Sequence, residues 1–232
     1  MKHRKRAFLL ALPAVLALTI FFALPMLYIL VKTLASDGVS DFTAFFSDPF
    51  YLNILWTTLR VSLISTLLSL LLGYPTAYYM ARTKSRMKQV MVVVILFPFL
   101  VSAVVRAYGW MVILGGNGLL NQFLMGAGLI AKPLKMLNTE GAVIVGMIHL
   151  LIPYMILSLI GVLQSIDPNV EYAAYSLGAG PAKTFARVIL PLSLPGILSG
   201  CVLVFTMSMT SYVTPKLLGG SKFRMMATMV VQ

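Results

Sequence analysis

The sequence predicts an all-α polytopic membrane protein with six spans, five of them complete, and three observations carry that reading. Of 232 residues, 59% are hydrophobic and 10% charged, where a soluble domain carries roughly 25% charged residues. The mean hydropathy of +0.94 reflects more apolar surface than one water-facing core can bury. Lys and Arg number 18 against 6 Asp and Glu, a formal charge of +12. These cations sit mostly between long apolar runs, as at membrane edges, and form no nucleic-acid-binding patch. Membrane lipid is therefore an expected partner and nucleic acid is not.

A spanning helix needs about 20 mostly apolar residues. Residues 8–31, 55–80, 90–114, 141–163 and 192–213 each supply such a run, and a sixth begins near Met225 and is cut off at Gln232. The first follows a basic start at Lys2, Arg4, Lys5 and Arg6. Its apolar run is too long for a signal core of about 7–15 residues, so it reads as a retained anchor. Between the third and fourth spans, residues 119–129 form a short helix-like patch after Gly115-Gly116-Asn117-Gly118, expected to lie along the membrane surface. No repeat or low-complexity linker divides residues 1–232, which read as a single transmembrane domain with its last span truncated.

Orientation follows from positive charge. With the N-terminus in the cytoplasm, ten Lys and Arg fall inside, including Arg82, Lys84, Arg86 and Lys88, and six outside, alongside Asp37, Asp41, Asp48 and Glu140. That asymmetry favours a multi-pass membrane protein with a cytoplasmic N-terminus.

Catalysis would need a nucleophile with its base, paired carboxylates or a metal cluster, and the sequence offers none. His3 and His149 are too far apart in the pattern to share a metal, and Cys201 sits in an apolar run as a packing residue. Lys183-Thr184 follows Ala182, and the first glycine of a phosphate loop would fall on Leu177, so this is no nucleotide cradle. The chain is expected to be no enzyme and to hold no cofactor or metal.

The polar insertion over about 165–191 is too long for a tight turn. Asp167-Pro168-Asn169 offers a helix start, Gly178 and Gly180-Pro181 a stop, and Ala182–Ile189 a second helix. Small residues Ala173, Ala174 and Gly178 suit close docking on another protein; an ordinary amphipathic connector is the alternative reading. The segment Glu171-Tyr172-Ala173-Ala174-Tyr175-Ser176-Leu177-Gly178, with Val188-Ile189-Leu190-Pro191 closing thirteen positions after the glycine, resembles the EAA loop of the permease subunits of binding-protein-dependent type I ABC importers. Tyr172 stands where that family has its glutamate, with Glu171 one place earlier, and Val188 replaces Ile. Gly73-Tyr74-Pro75, Pro98-Phe99, Arg106-x-Tyr108 and Pro195-Gly196 are similar to the family as well. Ser211–Pro215 with Leu217–Gly220 most resembles spermidine/putrescine permeases and their opine-type and iron-importer relatives.

The resemblance implies the type I ABC importer permease fold, half of a translocation pathway, and partners. These are a second, similar permease, two cytoplasmic ATPases that bind ATP and Mg, and a periplasmic binding protein. It implies ATPase coupling through Glu171, Tyr172, Ala173, Ala174, Gly178, Leu190 and Pro191, where Gly178 would let two backbones approach closely. A polyamine is the favoured solute, with an opine, iron or another small solute as the alternative. A stand-alone secondary transporter would need its own coupling site, and the spans offer no carboxylate for one.

Two cations, Arg60 and Arg106, fall inside spans. Each is either a functional group or snorkels to the interface. With Tyr108 and Trp110 they form a candidate translocation path. Arg106 and Trp110 share a helical face, and Tyr108 points elsewhere. Pro25, Pro98 and Pro153 are hinge candidates.

Overall fold

Two parallel helices, α2 (Pro49–Arg82) and α6 (Glu140–Ser165), organise the part of the chain that carries the candidate site. The computed structural model describes residues 12–35, 45–220 and 223–229. The basic tail at Lys2–Arg6, Asp37, Asp41, Lys222 and the last residues of the sixth span lie outside the described residues. Contacts divide the chain into two compact units, residues 1–53 and 54–232.

In the first unit, α1 (Leu12–Thr33) is long and apolar enough to cross a bilayer. Pro25 lacks an N–H and its ring crowds the preceding turn. The helix absorbs this in a wider π turn over Thr19–Ala23, where Leu24 N–H donates to Thr19 O.

In the second unit, every fourth residue of α6 from Val143 through Met147, Leu151, Met155 and Leu159 to Leu163 is fully buried. This stripe meets α9 (Leu194–Met209), which approaches through Gly196 and Gly200. A Cβ at Gly196 would lie 2.9 Å from Val162 Cβ, whereas one at Gly161 would meet nothing within 4 Å. Opposite signs are therefore expected in thermal unfolding. Gly196→Ala should destabilise by about 1–3 kcal/mol through overpacking, and Gly161→Ala should stabilise by about 0.5–1 kcal/mol through helix propensity. Equal shifts would refute the close packing of α6 on α9.

The face α2 turns inward is unusual for an apolar span: Thr58, Ser62, Ser65, Thr66 and Ser69 are all buried. Thr58 and Thr66 donate to the carbonyls of Ile54 and Ser62, which satisfies those hydroxyls within their own helix. Contacts at both ends fix the direction of the pair: Arg60 of α2 bonds Glu140 of α6, and Arg82 bonds the carbonyls of Leu163 and Ile166. Both helices therefore run the same way, and the chain between them must return.

That return corrects one expectation. In place of a continuous third span over 90–114, two helices form, α3 (Met87–Leu100) and α4 (Ala103–Leu114), separated by an extended Val101. Pro98 removes a backbone donor near the end of α3, and Ser102 caps α4 by accepting from Val104 N–H at 3.2 Å. The surface patch forms α5 (Leu119–Gly126). Asn121 pins it, donating to Gly115 O and Leu134 O and accepting from Leu134 N–H.

The remaining helices are α7 (Pro168–Ser176), α8 (Pro181–Leu192), α10 (Val213–Leu218) and α11 (Met226–Met229). The fifth expected span, 192–213, forms as α9, slightly shorter, and α8 meets it at 65° close to the expected boundary. Before Pro191, α8 repeats the device of α1, a π turn over Phe185–Ile189 in which Leu190 N–H donates to Phe185 O. Among the described residues, four helical stretches can cross a membrane by length and composition, Leu12–Thr33, Pro49–Arg82, Ala103–Gly126 and Glu140–Ser165, and the bent pair makes a fifth.

Candidate functional site

The insertion between α6 and α9 folds into a helical elbow, α7 and α8. Asp167 accepts from Asn169 N–H at 2.9 Å, Pro168 occupies the first turn, and α7 runs on to Ser176. Its end is a Schellman closure: Ala179 N–H reaches Ala174 O and Gly178 N–H reaches Tyr175 O. Gly178 has φ +79°, and a Cβ there would meet nothing within 4 Å. Within the chain, glycine is required here by its left-handed backbone and not by a close neighbour.

Glu171 points inward. Its carboxylate pairs with Arg82 Nη2 at 2.5 Å, and its other oxygen accepts from Tyr78 O–H at 3.1 Å. The side chains of Arg82 and Glu171 are 19% and 11% exposed. Arg82 Nη1 also donates to Ile166 O at 2.9 Å and Leu163 O at 3.3 Å. These are carbonyls at the end of α6, which has no further turn to satisfy them. One guanidinium thus joins α2, α6 and α7.

A second attachment holds α8. Tyr74 O–H and Ser193 Oγ bond at 2.8 Å across the bend, and Phe185 packs edge-on against Tyr74 and Tyr78. Pro191 and Pro195 flank Ser193, so the chain bends where two backbone donors are missing. The elbow's other side faces outward: Tyr172 and Tyr175 are exposed, and Leu177 is 88% exposed. Ala173, Leu190 and Pro191 are exposed and Ala174 is buried. The sequence motif thus divides into a buried anchor, Glu171 and Ala174, and an outward face.

At the other end of the parallel pair, Arg60 is bonded to Glu140, the first residue of α6. Arg106 lies elsewhere, lining a small cavity with Trp110, His149, Leu150 and Thr214. Trp110 Nε1–H donates to His149 Nδ1 at 3.1 Å. Tyr108 is exposed on another face. The structure therefore joins Arg106 with Trp110 and leaves out Arg60 and Tyr108. Arg106→Leu is expected to leave the fold intact and to change solute uptake at least about tenfold, because an arginine held among helices loses all five donors on substitution. Uptake at the wild-type rate would reduce Arg106 to a snorkelling residue.

Arg82, Tyr78, Tyr74, Ser193 and His149 escaped the sequence reading as site residues. Arg82 counted only as a topological charge, though its place at the last position of a span, beside a helix-ending loop, was a usable signal. Among the described residues no group of three or more His, Cys, Asp or Glu is placed to hold a metal ion.

Long apolar helices, two of them parallel and tied to each other, with a helical elbow at one end define a polytopic membrane protein. Residues 67–231 match the family of binding-protein-dependent transport system inner membrane components, and the chain belongs to that family. It is 38% identical over 222 residues to the spermidine/putrescine transport system permease protein PotB of Haemophilus influenzae, covering 91% of this chain and 77% of that protein. To PotB of Escherichia coli it is 36% identical over 175 residues, covering 75% of this chain and 64% of that protein, so it spans less than two thirds of that relative's length. Its fold is similar to a bacterial ABC transporter involved in import of the acidic polysaccharide alginate, with TM-score 0.73 and 21% identity over 89% of this chain and 75% of that chain. A bacterial alginate ABC transporter in complex with an alginate pentasaccharide-bound periplasmic protein gives TM-score 0.74 and 18% identity over 95% of this chain and 78% of that one. The chain is a multi-pass inner-membrane protein with the ABC importer permease fold.

Proposed function

We propose that this chain is the transmembrane permease subunit of an ATP-driven importer, carrying a polyamine such as spermidine or putrescine delivered by a periplasmic binding protein. The observation that carries the reading is the elbow. Its base is fastened to α2 and α6 through Arg82 and Glu171, and its exposed tip presents Tyr172, Tyr175 and Leu177. Such an element transmits a push from a docked partner into the spans, because its base is anchored on two of them. The docked partner is a cytoplasmic ATPase, present in two copies, which binds ATP and Mg and does the chemistry. A second, similar permease completes the pathway. The elbow end is cytoplasmic, as is the N-terminus. The permease itself forms and breaks no covalent bond, and ATPase closure rocks the two permeases between outward and inward access.

The polyamine rests on the identity to PotB. A cationic solute fits aromatic faces better than Arg60 or Arg106, so selectivity is shared with the binding protein and the partner permease. Co-purification and uptake test the reading together. The tagged chain expressed with its operon partners should elute with an ATPase and support uptake of labelled spermidine. Elution without an ATPase would point to a stand-alone transporter, and uptake of an opine or a ferric complex in place of spermidine would overturn the cargo. A reporter fused after Lys88 should be cytoplasmic and one after Lys135 periplasmic; the reverse would invert the orientation.

A further inference from the structure

Between the elbow and the turn from α2 to α3 lies a cleft of ≈ 620 Å³, within the roughly 300–1,000 Å³ usual for small-ligand sites. Tyr78, Arg82, Lys84, Lys88, Glu171 and Tyr172 are among its lining residues. Its one carboxylate is already neutralised, since Glu171 pairs with Arg82. Lys84 and Lys88 have no ion-pair partner among the described residues. Two uncompensated ammonium groups facing one cleft repel each other, and an anion between them removes that repulsion while accepting from both.

We propose that the cleft binds the phosphate headgroup of an anionic phospholipid. The two lysines flank the junction of two apolar helices, at the polar edge of the bilayer where headgroups lie. Basic pockets beside spans at such an edge suit anionic headgroups. On the face of α3 turned away from the cleft, Met87, Val90, Val94 and Phe97 follow one another at spacings of three and four residues, each more than half exposed, whereas Met91 and Ile95, on the face of Lys88, pack against the core. That strip sets α3 in the bilayer, so the cleft at its first turn opens at headgroup depth, where lipid phosphate outnumbers free anion. The site also spans separate elements: Lys84 belongs to the α2–α3 turn and Lys88 to the first turn of α3, whereas Tyr172 and Glu171 belong to the elbow. A bound phosphate therefore ties the elbow to its seat.

The test uses the full chain in detergent, titrated with dioleoyl phosphatidylglycerol and dioleoyl phosphatidylcholine and read by native mass spectrometry. Phosphatidylglycerol should bind about thirtyfold more tightly, the product of two lysines each acting near the surface. The Lys84→Gln/Lys88→Gln variant should lose that preference, while Lys132→Gln/Lys135→Gln, far along the chain, should keep it. Equal retention of the two lipids, or an unchanged preference in Lys84→Gln/Lys88→Gln, would overturn the site. Competition by inorganic phosphate at about 10 mM would overturn the lipid in favour of a free anion. Displacement of phosphatidylglycerol by the purified ATPase would assign the lysines to an acidic protein segment instead. The titration needs no ATPase or solute, so its failure leaves the permease reading standing, and failure of that reading leaves the lipid site standing.

Discussion

Arg82→Ala should loosen the elbow more than any other single change at the site. The substitution leaves Glu171, 11% exposed, without its cation and strips donors from Leu163 O and Ile166 O. Breaking a buried pair from one side costs about 3–5 kcal/mol. Because Arg82 is itself 19% exposed, solvent recovers part of this, and about 2–3 kcal/mol is expected. Amides over residues 168–192 should then exchange with solvent roughly 30- to 100-fold faster, while those of α6 stay protected. Arg82→Lys should recover only part of the loss, because a point charge cannot serve a carboxylate and two carbonyls with the geometry of a planar fork. A double-mutant cycle with Glu171→Ala should return a coupling energy above about 1 kcal/mol. Additive effects would mean that the ion pair does not hold the elbow. In transport assays the same variant should retain ATPase co-elution and lose uptake, because the tip is intact and its anchorage is not.

Leu177→Asp should do the converse. Leu177 is 88% exposed at the turn that closes α7, and a leucine so placed contributes nothing to the isolated chain. Burying it in a partner's groove is worth about 1.5–3 kcal/mol, and an aspartate at the same point adds a desolvation cost. ATPase affinity is therefore expected to fall at least about a hundredfold, with the unfolding temperature of the permease unchanged. Full co-elution of the ATPase with Leu177→Asp would remove the elbow tip from the docking interface. Together the two variants separate the tip from the anchor: one loses the partner and keeps the structure, the other keeps the partner and loses the transmission.

The spans beginning at Pro49 and Glu140 were legible because a long apolar run determines a transmembrane helix without help from its neighbours. The elbow was legible at both ends of α7, since Asp167-Pro168 and Gly178 are local signals whose hydrogen bonds close within five residues. The break at Val101 was not, and at Ser193 the boundary was legible but not the contact that holds the bend. Proline marks both places, yet Pro153 sits inside an unbroken α6, so proline by itself does not determine where a span stops. At Ser193 the deciding bond comes from Tyr74, 119 residues away.

Glu171 shows the same division. Its spacing to Gly178 placed it in a segment that resembles a docking loop, and that resemblance implied a contact with the ATPase. Arg82 and Tyr78, the latter 93 residues earlier in the chain, turn it inward. The sequence by itself determined the membrane class, the principal spans and the elbow helices, because apolar run length and helix capping act over a few residues. Tertiary structure alone decided which elbow residues anchor and which face outward, and that two lysines share a cleft, because pairing of charges and bonding of exposed carbonyls depend on which distant helices pack together.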